Sequence, residues 1–366
     1  MYSETDIEAA VAAGAMTPDA AASLRNYVSS QRAAPSVDEE HFRLITGFND
    51  IFVSIAAAIL LFAVAWIGQS FGPKIGYDGP SPFAGLLAAA TAWGLAEFFT
   101  RKRRMALPSI ILLLAFTAGV LLTSATTLIL AVGEGVFEEN ERAAALVAAA
   151  SAAIAAAATW FHWKRFRVPI TVAVGAATVV GVIMALIAYA VGDSNENVLE
   201  NVLLASALAL GLGVFALAMR WDSSDPRRET RRSDVAFWLH LLSAPLIVHP
   251  IFSLLGLNDG DATVGQAMVV LLVYLLLGLT ALAVDRRAML VSALAYVLFA
   301  LISMFERFGA VELNIALAAF VIGSGLLLLS AFWHNVRKAV VNPLPAGVQA
   351  KLPVLDRPTT VAHAAA

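Results

Sequence analysis

Cysteine is absent from all 366 residues, which excludes disulfides, thiolate metal sites and a cysteine nucleophile. Charge is scarce too: only 14% of residues are Asp, Glu, Lys or Arg, against about 25% in a soluble domain. The net charge of −3 is too close to neutral to suggest a nucleic-acid partner. No Walker loop, HExxH, GxSxG or dinucleotide fingerprint occurs, so no catalytic residue, metal set or cofactor is expected. Residues 1–50 open with acids and hold no apolar signal-peptide core, so the first span is expected to act as the targeting signal.

What is present is apolar length. Sixty per cent of the chain is hydrophobic, and several runs reach the roughly 20 residues needed to cross a bilayer. The expected fold is an all-α polytopic transmembrane bundle of about ten spans, at 51–71, 82–99, 106–133, 143–163, 168–191, 198–219, 235–256, 265–284, 288–305 and 311–333. Loop charge orients them. The segments after spans two, four, six, eight and ten hold Arg101, Lys102, Arg103, Arg104, Lys164, Arg165, Arg167, Arg220, Arg227, Arg228, Arg231, Arg232, Arg286, Arg287, Arg337 and Lys338, 16 basic residues. The alternate loops hold Lys74, Arg142 and Arg307 and many acids. Basic loops stay cytoplasmic, so both termini are expected inside. Trp160, Trp163, Trp221, Trp238 and Trp333 all fall near the inner ends, where an amphipathic ring suits the interface.

Residues 1–49 read as a cytoplasmic helical hairpin and linker. Ile7 and Val11, then Leu24, Tyr27 and Val28, recur at helical spacing, with Gly14 as a C-cap and Thr17-Pro18 as an N-cap followed by proline at the first helical position. Residues 50–338 form the ten-span domain. Residues 339–366, with four prolines and little hydrophobic patterning, read as a disordered cytoplasmic tail. Basic clusters near 101, 164 and 227 recur about every 63 residues, which leaves an internal duplication open. Twelve alanines among residues 143–158 suit a helix packed in the bundle interior, and Gly211/Gly213 and Gly323/Gly325 suit close helix contacts.

The seventh run, 234–256, is the most unusual. Pro245 leaves the Leu241 carbonyl without its helical donor, and Pro250 does the same to Leu246. A break at membrane depth is tolerated beside a cavity or inside protein, so this broken span is the expected place for a site. Its candidate binding or proton-relay residues are His240, His249, Pro245 and Pro250, together with Glu97 in span two. The blander alternatives stand beside them. Glu97 pairs with Arg101 at i+4, His240 reaches the inner interface, and His249 caps the orphan Leu246 carbonyl. His240 and His249 are nine residues apart, about 900° of ideal helix, and so do not form a helical metal pair unless a break at Pro245 rotates one half. His162 and His334 adjoin tryptophans and basic turns and read as interfacial anchors. Thr123, Ser124, Thr126 and Thr127 can bond their own helix carbonyls.

The opening, Ile7 to Ala21 with Gly14, Met16, Thr17 and Asp19 in order, and the Ala63-Val64-Ala65-Trp66 pattern in the first span carry a resemblance. They resemble a bacterial family of uncharacterised multispanning membrane proteins that place a short helical hairpin before the first span. The resemblance implies a bacterial cytoplasmic (inner) membrane location and no particular chemistry. Three functions are weighed: an intramembrane enzyme has no nucleophile or metal set to support it, and the other two compete. One is a transporter- or permease-like protein for a small solute or lipid, using the broken seventh span. The other is a non-transporting scaffold or sensor in the bilayer, whose hairpin binds a cytoplasmic protein.

Overall fold

The computed structural model describes residues 10–31, 48–192, 195–226, 228, 230–254, 264–287, 290, 294, 297–298, 301–302, 305 and 313–355. Two compact units result, residues 1–42 and 43–366. In the first, residues 10–12 are helical, Gly14 turns the chain at φ +69°, and helix α1 (Pro18–Gln31) follows. The Thr17 hydroxyl accepts from the Ala20 amide, satisfying an otherwise orphan first-turn donor.

In the second unit every regular element among the described residues is helical. The order is α2 (Phe48–Gln69), α3 (Pro82–Phe99), α4 (Ala106–Val132), a short α5 (Glu134–Glu139), α6 (Glu141–Phe166), α7 (Ile170–Val191), α8 (Glu196–Ser223), α9 (Arg231–Leu254), α10 (Val264–Val284), α11 (Asn314–Val341) and α12 (Ala346–Gln349). Eight of these helices, α2, α3, α4, α6, α7, α8, α9 and α11, are long and apolar enough to cross a membrane. The apolar α10 is 21 residues long, and most of the expected ninth span, 288–305, lies outside the described residues. Side-chain exposure agrees with a lipid surround: Phe320 is 71% and Leu327 73% exposed, which water would penalise in a contiguous patch. The protein is a multi-pass α-helical membrane protein.

Helices overrun their apolar stretches at the basic ends. Apolar content ends span six near 219 and span ten near 333, yet α8 continues to Ser223 and α11 to Val341. Basic residues in a last turn favour the helix dipole, so a polar end need not unwind. The turns repeat a backbone device. Arg104, Arg167, Arg228 and Asp285 take positive φ of 54–60°, at intervals of 63, 61 and 57 residues. Glycine adopts this left-handed region without steric cost. Here charged residues hold it instead, a conformational recurrence that supports a repeated two-helix unit.

The seventh span is a correction. Helix α9 runs continuously from Arg231 to Leu254 through both prolines and does not break. Helix α8 supplies part of the reason. A Cβ built on Gly211 would lie 2.9 Å from the carbonyl carbon and the oxygen of Leu246, the carbonyl that Pro250 leaves without a helical donor. Only a residue without a side chain lets α8 lie that close, so the Gly211 backbone faces the orphan carbonyl directly. Gly85 of α3 and Gly119 of α4 meet more tightly still, each opposite the other's carbonyl oxygen. The alanine-rich α6 buries one side, with Ala149, Ser151, Ala152 and Ala155 inward and Ile154 half exposed.

The tail departs from the expected disorder. Helix α11 extends to Val341, α12 follows, and Leu352 packs at 7% exposure against Val284 and Val341. Arg337 donates to the carbonyls of Pro353 (2.6 Å) and Val354 (3.2 Å), while the Val354 amide reaches Pro226 O at 3.3 Å. Few apolar residues suffice here because an arginine fork holds the backbone. Residues 356–366 lie outside the described residues. Leu352→Ala should loosen this strap and speed tryptic cleavage after the exposed Lys351 at least about tenfold, a change of about 1.4 kcal/mol in local opening. An unchanged cleavage rate would show that Arg337 alone holds it.

Candidate functional site

The ends of α8 and α9 converge on Asp222, whose side chain has 0% exposure. His240, also at 0%, places Nε2 2.8 Å from Asp222 Oδ2. Arg286, in the turn after α10, donates from Nη2 to Asp222 Oδ1 at 2.6 Å and from Nε to Oδ2 at 3.4 Å. The same Nη2 donates to the Ser233 carbonyl at 3.0 Å, tying the start of α9 to the turn. With Asp222 ionised, His240 donates through Nε2–H. Its Nδ1 is buried with no hydrogen-bond partner among the described residues, and Phe215 meets the ring edge-on at 5.3 Å.

A second ion group abuts the first through adjacent residues. Asp285 accepts from Arg228 Nη1 at 3.0 Å and from the Trp333 indole at 2.7 Å, with Arg337 Nε 3.7 Å away. Arg228 also donates to the Val284 and Asp285 carbonyls. Asp225 closes the intervening loop by accepting from the amide and the hydroxyl of Thr230. Together, α8, α9, α11 and the turn after α10 are joined at one basic end by charges almost without solvent. Removing such groups from water costs several kcal/mol each, so the set depends on each charge keeping an opposite charge beside it.

Of the candidate binding or proton-relay residues, only His240 enters the Asp222 set. His249 lies on the exposed side of α9, nine residues on, and Pro245 is exposed while Pro250 is buried. Glu97 sits elsewhere, on α3, in a partly exposed pair with Arg165 (2.7 and 2.9 Å, fork to carboxylate) and with Arg101 at 3.3 Å. His162 is a further correction: it is not at an interface but 1% exposed, between Trp93, Phe116 and Phe166. Those rings come from α3, α4 and α6, and no sequence-local pattern brings them together. Trp333, likewise expected at the interface, is 2% exposed. Thr123 bonds across to the Pro82 carbonyl at 3.1 Å, whereas Ser124 and Thr126 bond carbonyls of their own helix.

Asp222, Arg286, Asp285, Arg228 and Arg337 were not legible as a site. Arginines in these loops count as topology signals, and acids beside them carry little weight in that count. The signal that could have found Asp222 is its position at i+4 from the small Ala218, within reach of a helical end that the apolar run understates. Comparison with family models, with curated proteins and with solved structures gives no match to this chain.

Proposed function

We propose that this is a transporter- or permease-like protein of the bacterial inner membrane, moving a small solute or lipid, with both termini cytoplasmic. The Asp222–His240–Arg286 set is its inner gate. The observation that carries this is a carboxylate, an imidazole and a guanidinium buried in mutual contact where α8, α9 and the turn after α10 meet. Such a lock is stable when complete and weak when one member changes protonation. A proton on Asp222 would deprive Arg286 of its carboxylate and His240 of its acceptor. The gate would then open towards the basic side.

The chain's lack of cysteine makes the test clean. Ala236→Cys and Val248→Cys each place one thiol at a buried position of α9, the first nearer the basic end. Adding Asp222→Asn should raise labelling of Cys-substituted position 236 by a membrane-impermeant maleimide at least about tenfold from the basic side. The same change should lower labelling of position 248 from the other side, because alternating access makes the two exposures reciprocal. Loosening at 236 without the reciprocal change would refute a carrier. A scaffold or sensor is the second reading, favoured by residues 1–42 forming a compact unit of their own. It predicts that neither site responds.

A further inference from the structure

The folded tail ties together the elements that carry the gate. Past α11, the Gln349 amide donates to the Asn342 and Leu344 carbonyls at 3.1 and 2.7 Å, which folds the chain back on itself. Leu352 then packs on Val284 and Val341, and the Val354 amide donates to the Pro226 carbonyl at 3.3 Å. Pro226 lies four residues after Asp222, and Val284 two before Arg286. The strap therefore joins the loop after α8, the turn after α10 and the end of α11. Asp222 and Arg286 sit beside the first two of these, and the two must part if the carboxylate and the guanidinium are to separate.

Arg337 belongs both to the strap and to the ion groups. Its buried guanidinium gives Nη2 and Nη1 to the Pro353 and Val354 carbonyls and Nε to the Leu282 carbonyl at 3.2 Å. Nε also stands 3.7 Å from Asp285 Oδ1, near enough for ionic attraction and too far for a hydrogen bond. Asp285 in turn holds Arg228 of the α8–α9 loop and directly precedes Arg286. We propose that the strap, residues 342–355, is an autoinhibitory latch that keeps the inner gate closed, and that Arg337 passes from the strap carbonyls to Asp285 when the strap lifts. The inference rests on the gate reading of Asp222, His240 and Arg286. A buried cation stripped of its acceptors would forbid release, and the carboxylate beside Arg337 removes that obstacle. One arginine with two sets of acceptors is a two-state element, and it couples the strap to the turn that carries Arg286. Because the strap is tethered to α11, its contacts are intramolecular, so a few modest bonds hold it shut and still let it open.

The test uses the full chain with Ala236→Cys, labelled by the impermeant maleimide from the basic side and read by mass on the peptide that carries position 236. Leu352→Ala, with Asp222 intact, should raise that labelling about three- to tenfold, since a contact made only in the closed state biases the gate by no more than its own strength. Pro226→Cys with Val354→Cys makes the opposite change. Their backbones are hydrogen-bonded, at about the separation a disulfide spans. With that disulfide closed, Asp222→Asn should leave labelling at the level of the chain with Asp222 intact, and reduction should restore a rise of about tenfold. A rise that persists through the closed disulfide would overturn the latch and leave the gate standing. No rise from Asp222→Asn even after reduction would remove the gate, and the latch with it. Faster tryptic cleavage after Lys351 in Leu352→Ala, without added labelling, would reduce the strap to a structural tie. The disulfide arm decides alone where Leu352→Ala does not fold, and failure of that pair to oxidise would itself overturn the latch.

Discussion

Asp222→Ala should lower the stability of the membrane bundle by about 3–5 kcal/mol, measured by unfolding in mixed detergent micelles. The size follows from what the change leaves behind. Arg286 would keep its charge at 1% exposure with its carboxylate gone, and His240 would lose the acceptor at 2.8 Å. A surface ion pair would cost no more than about 1 kcal/mol, so the magnitude itself separates a desolvated set from a solvated one. Replacing the whole set, with Asp222→Leu, His240→Phe and Arg286→Met, should recover most of that loss. Apolar groups of similar volume carry no desolvation penalty, and a buried ionic triad often exceeds its Coulombic gain by that penalty. Recovery of stability with loss of the reciprocal labelling response would mean that the charges serve gating and not folding. A loss below about 1 kcal/mol for Asp222→Ala would mean that water reaches the set.

The second large effect concerns two glycines two residues apart. Gly211→Ala should destabilise by about 1–3 kcal/mol, because its Cβ would sit 2.9 Å from the Leu246 carbonyl and force α8 and α9 apart. Gly213→Ala should instead stabilise by about 0.5–1 kcal/mol. Its Cβ meets nothing within 4 Å, and only the conformational entropy of glycine is removed. Opposite signs at the two positions are the diagnostic outcome. Combining Gly211→Ala with Pro250→Ala should relieve part of the loss, since an amide at 250 would again satisfy Leu246 and the close approach would no longer be needed. If the two substitutions add without coupling, the glycine is not there to cover that carbonyl.

These cases divide what was legible in the sequence from what was not. Helical class, membrane length and the positions of the turns followed from composition and apolar run length, because a bilayer demands about 20 apolar residues and internal backbone bonding. His240 stood out because an imidazole within an apolar run is costly. Its partners did not, since Asp222 lies beyond the apolar part of α8 and Arg286 comes 64 residues later in a turn. The break assigned to the seventh span came from counting the donors that Pro245 and Pro250 remove. It could not foresee Gly211 lying against the freed carbonyl.

The sequence by itself determined that this chain crosses a membrane repeatedly as helices, for hydrocarbon leaves an apolar segment little other choice. Tertiary structure alone decided which glycines are contacts, which loop arginines are buried, and that the tail to residue 355 is folded. The physical reason is range. Span and helix signals are summed over neighbours along one segment, whereas a buried charge is stable only if partners from other segments arrive within about 3 Å. Asp222, His240 and Arg286 do so across three separate stretches of chain.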